Sequence, residues 1–355
     1  MSSGRFLYHN GVVLEAPPVT TFLQSLPGAY TTTRTINSGT SFLFWERHMK
    51  RLSSSIRILL DSKPELLFSS GSSSRVWKNQ LVPESCNIYD LVNGSMSKAM
   101  RSVVAKERDR LCGEELAVTV LVTGNAEKKL SRLDDEKVVD CLDVWLHIGG
   151  YSLGVGNSAA SLALVGHGRD VANAKYSDWV RLRKPLEKFR PPSTTELLLS
   201  NDGDHLLEGC VTNFFVVCRK KSSSGSLYGE SLGEFEVQTA PVSDGVLPGV
   251  IREVVIEVCL SKGIPYRERA PSWSERELWE EAFITSKSFR SLRIVQHVGT
   301  IKVPVGSLEA LGSTKPEEIQ WKEKRFKEGP GMITELIQNA IMERGIEEGI
   351  PLKDL

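Results

Sequence analysis

The sequence predicts a soluble, two-domain protein of mixed α/β (α+β) type, and three observations support this prediction. The chain has 355 residues, which corresponds to about two domains of ordinary size. Its second half alternates short apolar runs typical of strands with amphipathic segments typical of helices. Residues 149–157 carry four glycines, a composition typical of an interdomain linker. We therefore expect a smaller domain over 1–148 and a larger one over 158–355.

The composition is that of an ordinary globular protein and argues against several classes of function. Hydrophobic residues make up 40% of the chain and charged residues 25%, which is typical of soluble domains with a sizeable core. The 44 basic residues balance the 44 acidic ones, so nothing favours a nucleic acid or an anionic membrane as a partner. No apolar run reaches the roughly 18 residues of a membrane span. We expect a cytoplasmic protein, with import into an organelle left open.

The N-terminal half is expected to contain strands followed by two helical regions. Residues 11–35 are interrupted by Pro-Pro and Pro-Gly turns, so we expect strands there. The apolar spacing from Phe42 to Leu60 predicts an amphipathic helix. Residues 83–112 are expected to be largely helical, with Asn93-Gly94 as an interruption. The six cysteines include no C-x-x-C pair, so we expect buried thiols in a reducing compartment and no metal site.

The N-terminal domain is expected to end with two apolar runs at 116–122 and 143–148, which predict strands, before the second half of the chain begins. Asn201-Asp-Gly-Asp204 predicts a tight hairpin turn just before the strand that carries Glu208. The spacing from Met332 to Met342 predicts a late amphipathic helix.

Three features of this half together suggest a cofactor site. Lys175 lies between alanine-rich sequence and aromatic residues, and Glu208 follows at the start of a very apolar strand. Leu247-Pro-Gly249 then begins a helix. A lysine can form a Schiff base with pyridoxal phosphate, an acid can face the protonated pyridine nitrogen, and a helix start can bind phosphate. Each feature alone has a simpler interpretation: a solvated lysine, an acid paired with an arginine, or a helix start that binds nothing.

The order of these features resembles the class IV aminotransferases, the fold-type IV pyridoxal phosphate enzymes. These include branched-chain and D-amino acid aminotransferases and aminodeoxychorismate lyase. The segment Gly28-Ala-Tyr-Thr-Thr-Thr-Arg34 is similar to the family's glycine–aromatic–arginine strand, and Phe44-x-x-x-His48-x-x-Arg51-Leu52 is similar to its helix motif. Leu247-Pro-Gly-Val-Ile-Arg252 is similar to its phosphate loop. The resemblance covers about residues 25–345.

The resemblance implies a small N-terminal α/β sandwich domain, a larger C-terminal pseudo-barrel domain of the D-amino acid aminotransferase type, and a homodimer. It implies that Lys175 holds pyridoxal 5'-phosphate and that Glu208 faces the ring nitrogen. It also implies that the phosphate contacts Arg51, Val250, Ile251 and Ser288. Arg34 and Tyr30 are the implied substrate contacts.

Two departures from the family pattern leave the reaction open. Ile251 stands where the family usually has threonine, and Ser177-Asp178-Trp179 follows Lys175 where branched-chain enzymes have Gly-Asn-Tyr. The favoured function is transamination between a small amino acid and an α-keto acid. The alternatives are a lyase that eliminates pyruvate from an aminodeoxychorismate-like substrate, and a non-catalytic binding protein on the same fold.

Overall fold

The computed structural model describes residues 4–68, 88–111, 114–125, 141–151, 158–220, 232–285, 294–311 and 314–355, without the side chains of 103–111 and 309–310. The chain divides into two compact units. The first contains Met1–Leu153, Asn173–Leu182 and Gly345–Leu355, and the second contains Gly154–Ala172 and Arg183–Arg344. The segment that carries Lys175 thus belongs to the first unit. Of the expected linker, Gly149 and Gly150 end a strand, and residues 152–157 lie outside the described residues.

The first unit is built on a seven-stranded sheet. Its strands are β1 (Arg5–His9), β2 (Val12–Glu15), β3 (Ala29–Ile36), β4 (Ser41–Phe42), β5 (Leu116–Gly124), β6 (Leu142–Gly150) and β16 (Ile350–Pro351). They lie in the order β16-β4-β3-β5-β6-β1-β2, and every neighbouring pair is antiparallel. The helices of this unit are α1 (Val19–Ser25), α2 (Trp45–Ser62), α3 (Ile88–Leu111) and α4 (Trp179–Leu182).

Helix α2 confirms the helix expected from the apolar spacing. Its buried residues recur every three or four positions and include Leu52, Ile56 and Leu59, each at most 1% exposed. Such spacing places them on one face of a helix, and burying each of these side chains stabilises the fold by about 1.5–3 kcal/mol. The same face carries the polar residues His48 and Ser55, both buried, which places polar chemistry inside the unit.

Two expectations for this unit were wrong. Residues 19–25 form helix α1 rather than part of a strand, because burial of Phe22 and Leu23 in an apolar cluster outweighs the strand preference of Val-Thr-Thr. Helix α3 continues through Asn93-Gly94 without interruption. There the Trp45 Nε1 donates a hydrogen bond to Asn93 Oδ1 at 2.8 Å, so a tertiary contact offsets the roughly 1 kcal/mol that glycine costs inside a helix.

The second unit is built on a nine-stranded sheet. Its strands are β7 (Ala160–Gly166), β8 (Glu196–Ser200), β9 (Leu206–Gly209), β10 (Asn213–Arg219), β11 (Phe235–Thr239), β12 (Tyr266–Glu268), β13 (Trp279–Thr285), β14 (Val295–Pro304) and β15 (Trp321–Arg325). The pairing of β9 with β10 closes six of them into a barrel in the order β10-β13-β14-β7-β8-β9. The helices are α5 (Val250–Lys262), α6 (Leu308–Leu311) and α7 (Met332–Glu347), of which α7 ends in the first unit.

Alternate residues of the barrel strands form the core of the second unit. Leu162 and Leu164 of β7 pack in one cluster with Phe214 and Val216 of β10 and with Ile284 of β13. Side chains two positions apart point to the same side of a strand, so each strand contributes every second residue to the interior. The mixed α/β fold with a barrel and a second sheet confirms the predicted fold class. Within the described ranges, no helix is long and apolar enough to cross a membrane.

Candidate active site

In the first unit, strand β3 and helix α2 bring the side chains of Thr31, His48 and Arg51 together. Thr31 lies on the face of β3 that also carries Thr33 and Thr35, since side chains alternate along a strand. Arg51 Nη2 donates to Thr31 Oγ1 at 2.7 Å, and the same oxygen lies 2.7 Å from His48 Nδ1. Because the arginine uses the oxygen as an acceptor, the hydroxyl proton is available for Nδ1, which favours a neutral His48 protonated at Nε2.

Lys175 lies on a short segment that pairs with the start of β3. Its carbonyl accepts a hydrogen bond from Tyr30 N at 3.0 Å, and its own N–H donates to Ser55 Oγ at 3.0 Å. The same Ser55 hydroxyl donates to the Arg51 carbonyl at 2.9 Å. The Lys175 side chain is half-buried, with Nζ 4.7 Å from the centre of the Tyr30 ring, within the range of a cation–π contact. The first unit therefore places the lysine amine beside the tyrosine ring and links the lysine backbone, through Ser55, to the helix turn that carries Arg51.

Arg34 occupies the opposite face of β3 from Thr31, as does Tyr30. Its guanidinium carbon lies 5.1 Å from the centre of the Tyr151 ring. Burial raises the pKa of the Tyr151 phenol above its usual value, and the charge of Arg34 opposes that shift. The phenol therefore stays protonated at neutral pH beside a cation, an arrangement suited to a carboxylate ligand.

In the second unit, Glu208 lies on β9 and is only 3% exposed. Its Oε1 accepts a hydrogen bond from Arg169 Nε at 2.9 Å. Its Oε2 accepts from the backbone N–H of Leu247 at 2.9 Å and from Asn213 Nδ2 at 3.3 Å. A carboxylate that enters a core requires such partners. The sequence had left an arginine open as one alternative partner of Glu208, and in the structure this arginine is Arg169.

Helix α5 begins at Val250, three residues after Leu247. Gly249 precedes its first turn, and no described side chain caps the helix there. Asn213 Nδ2 also donates to the Leu247 carbonyl at 2.9 Å, and a Cβ on Gly249 would lie 2.0 Å from Asn213 Oδ1. Only glycine fits at this close approach. The first N–H groups of a helix have no acceptor inside the helix, so the amides of Val250 and Ile251 are suited to an anion.

The structure therefore connects two of the expected site features through one loop. Glu208 and the start of α5 are joined by the hydrogen bonds to Leu247, while Val250 and Ile251 have buried side chains at 2% and 4% exposure. Ser288 lies outside the described residues. Thr285, the last residue of β13, pairs with Asn213 on the neighbouring strand β10.

Sequence reasoning missed Arg169, Asn213, Ser55 and Thr31. Arg169 precedes Lys175 in a polar stretch, and the need of a buried acid for a partner is the one signal that could have identified it. Asn213 follows Glu208 at the start of the next strand, which looks like an ordinary turn. Ser55 and Thr31 become visible only when α2 lies against β3.

Glu196, at the start of β8, is a second buried acid in this unit. Its Oε1 accepts the backbone N–H of Leu197 at 2.8 Å. Burial raises the pKa of its carboxyl to about 7, while the backbone hydrogen bond and the nearby Arg183 and Arg190 oppose the shift. The folded protein therefore holds a proton on this carboxyl more tightly than the unfolded chain does.

Glu196→Gln is expected to change how stability depends on pH. The pKa is raised on folding, so the stabilisation from the bound proton is complete below the unfolded value and disappears as pH rises towards about 7. At about 1.4 kcal/mol per pKa unit, the effect reaches at most about 3 kcal/mol. Urea unfolding at several pH values should show the variant and wild type alike near pH 4, with the variant more stable near pH 8 by up to about 3 kcal/mol. A difference independent of pH would contradict this.

This chain is similar to known proteins over most of its length. The profile of the family described as amino-transferase class IV matches residues 28–297. A branched-chain amino acid aminotransferase from Thermobaculum terrenum, in its PLP form, has a TM-score of 0.62 at 13% identity, with 99% of this chain and 99% of that chain covered. One from Thermoproteus uzoniensis, solved with norvaline, has a TM-score of 0.58 at 17% identity, with coverages of 98% and 99%.

A third solved structure is a hypothetical aminotransferase from Mycobacterium tuberculosis in its PLP-bound form. It has a TM-score of 0.57 at 13% identity, with 96% of this chain and 99% of that chain covered. At such identities the three structures establish the fold alone. The search of curated proteins gave no match.

Proposed function

Because this chain belongs to the class IV aminotransferase family, we propose that it binds pyridoxal 5'-phosphate and transfers an amino group from a small amino acid to an α-keto acid. The observation that supports this most directly is the hydrogen bond from Leu247 N–H to Glu208 Oε2, at 2.9 Å. It holds a buried carboxylate beside an uncapped helix start. A protonated pyridine nitrogen and a phosphate, the two polar ends of this cofactor, require those two partners.

The ring and the phosphate would contact Glu208 and the start of helix α5. Glu208 would accept the hydrogen bond from the ring nitrogen, and the N–H groups of Val250 and Ile251 would bind phosphate oxygens. Ser288 is proposed as a further phosphate ligand on the family resemblance.

Arg51, Lys175, Tyr30 and Arg34 are proposed to supply the remaining contacts. Arg51 is held by Thr31 and would add a positive charge for the phosphate. Lys175 would bond to the cofactor through Nζ. Tyr30 and Arg34 share a face of β3 and are proposed to contact the substrate, with Arg34 suited to its carboxylate.

Lys175 and Glu208 each have a proposed task in the reaction. The cofactor, when bound, supplies a ring that withdraws electrons from the substrate α-carbon. Lys175 Nζ would take the proton from the substrate α-carbon as a base and give it up again as an acid. Glu208 would keep the proton on the ring nitrogen, which would preserve the electron-withdrawing character of the ring.

A lyase that releases pyruvate from an aminodeoxychorismate-like substrate is the second candidate. Two sequence features favour it: the apolar Ile251 in the phosphate loop, and the absence of Gly-Asn-Tyr after Lys175. Both reactions use the same lysine and acid. We further propose a homodimer, which sedimentation measures directly.

One experiment separates these functions. The purified protein is expected to show the visible absorption of lysine-bound pyridoxal phosphate. With amino acid donors and an α-keto acid acceptor, the appearance of a new amino acid indicates a transaminase. Pyruvate released from aminodeoxychorismate without an acceptor indicates a lyase instead. Protein that lacks the absorption and both activities would be a binding protein on this fold, and would overturn the proposal.

Ile251→Thr tests the clearest departure from the family loop. A hydroxyl that bonds to phosphate contributes about 1.5–3 kcal/mol, so the cofactor should dissociate about tenfold less readily. Ile251 is 4% exposed, so the variant should also lose about 1–2 kcal/mol of stability through lost packing. Equilibrium dialysis and the melting temperature of the cofactor-free protein measure the two effects.

Val255→Thr is the matched control, because Val255 is buried one turn later in the same helix. It should lower stability without tightening cofactor binding. Unchanged cofactor affinity in Ile251→Thr would show that this side chain serves only the core and that backbone amides bind the phosphate.

A further inference from the structure

The ion pair between Arg169 and Glu208 is one of the least exposed in the second unit. Its two side chains are 5% and 4% exposed, and the Nε–Oε1 distance is 2.9 Å. The guanidinium also donates through Nη2 to the carbonyl of Ala172. Ala172 is the residue at which the chain leaves the second unit and enters the segment that carries Lys175. One side chain therefore binds both the acid and the last residue before that segment.

Three donors from the described residues bond to the Glu208 carboxylate, and their placement indicates where a further donor could bond. A carboxylate has about four lone-pair sites, two on each oxygen. From the described residues, Oε2 accepts two hydrogen bonds, from Leu247 and Asn213, and Oε1 accepts one, from Arg169. The remaining site is on Oε1, next to the guanidinium. A ring N–H that bonds to Glu208 would thus share Oε1 with Arg169.

Among the described residues that donate to Glu208, Arg169 is the one that carries a charge. Leu247 and Asn213 donate neutral hydrogen bonds, whereas Arg169 brings a full positive charge to within hydrogen-bond distance. In a buried site, a neighbouring cation favours the ionised form of a carboxyl group strongly. Without it, the buried carboxylate would be held by neutral donors alone, and the oxygen that a pyridine N–H requires would be positioned less firmly.

We infer that Arg169 is a positioning residue for the reaction: its charged hydrogen bond fixes the Glu208 carboxylate and orients Oε1 for the ring nitrogen. This inference rests on the proposed function. Arg169 itself is not expected to touch substrate. Its effect is transmitted through Glu208, and this distinguishes it from an ion pair that only stabilises the fold.

Arg169→Gln removes the charge and retains hydrogen-bond donors. Turnover should fall about 10- to 100-fold, the range for residues that orient a directly acting group, while the cofactor dissociation constant changes much less. The pH profile of kcat and the spectrum of the bound cofactor should both differ from those of wild type, because the acceptor of the ring-nitrogen proton is held less firmly. Arg169→Lys, which keeps the charge, should recover most of the turnover.

A double-mutant cycle with Glu208→Gln decides whether Arg169 acts through the acid. In that background, Arg169→Gln should change turnover by less than about twofold, since the group on which it acts has gone. Arg344→Met is the control, because Arg344 forms an ion pair with Glu257 at 2.7 Å and neither residue belongs to the proposed site. It should leave turnover and its pH profile unchanged.

The outcomes separate this inference from the proposed function. Wild-type protein without cofactor absorption and without turnover would overturn both. With both present, an equal loss on Arg169→Gln in the two backgrounds, or a lower melting temperature with turnover and cofactor spectrum unchanged, would overturn the positioning role. If Arg169→Gln does not fold, Arg169→Lys decides instead, because an ammonium group lacks the planar fork of the guanidinium. A positioning role then predicts a remaining loss of turnover of about two- to fivefold and a shifted cofactor spectrum, both absent in the Glu208→Gln background. Turnover and spectrum identical to wild type would overturn it.

Discussion

Lys175→Ala is expected to abolish amino-group transfer, with kcat lower by at least about 10⁴-fold, the upper range for loss of an acid–base group. The variant removes both the amine that bonds to the cofactor and the base that moves the α-proton. The fold should survive, because the Lys175 segment is held by backbone hydrogen bonds to Tyr30 and Ser55. Steady-state kinetics and the melting temperature measure the two properties in the same preparation.

Two exposed lysines near the same segment provide the controls. Lys184→Ala and Lys188→Ala should retain turnover, since both side chains are exposed. Borohydride reduction of the wild-type protein, followed by peptide mapping, should place the cofactor on Lys175. Label on Lys184 or Lys188, or near-normal turnover in Lys175→Ala, would refute the assignment.

Glu208→Gln should reduce turnover by roughly two to four orders of magnitude, the scale of a lost catalytic interaction. A neutral amide cannot keep the ring nitrogen protonated. Its NH₂ group would also face either Arg169 or the N–H of Leu247, both of which are donors in the structure. Cofactor affinity should fall much less than turnover, because the phosphate contacts remain.

The same variant should also lose stability. It leaves the buried guanidinium of Arg169 without its counter-charge, a change that costs about 3–5 kcal/mol in buried ion pairs. Glu268→Gln is the matched control: it removes the acid that pairs with the buried Arg252, outside the proposed site. Kinetics, cofactor dialysis and melting of both variants separate a lost catalytic contact from general destabilisation. Near-normal turnover in Glu208→Gln would mean that this acid is structural only.

Several features could be predicted because they depend on residues close together in sequence. The spacing of Leu52, Ile56 and Leu59 predicts a helix, since side chains three and four positions apart share a face. The proline and glycine before Val250 predict a helix start for the same local reason. The fold class could be predicted because family motifs extend over most of the chain.

The wrong expectations arose where tertiary contacts override local preference. Val19-Thr-Thr21 favours a strand by itself, yet packing of Phe22 and Leu23 against the sheet makes the segment helical. Asn93-Gly94 favours an interruption, yet the hydrogen bond from Trp45 keeps the helix continuous. Neither contact has a signal in the sequence near the affected residues.

By itself, the sequence determined which residues are proposed to carry the chemistry, namely a lysine, an acid and a helix start in family order. The tertiary structure decided how the acid is held. Arg169 and Leu247 are separated from Glu208 by 39 residues each, and they reach it only when the barrel closes and brings distant strand ends together. A carboxylate buried by that closure requires donors nearby, and their identity depends on three-dimensional packing, which local patterns do not specify.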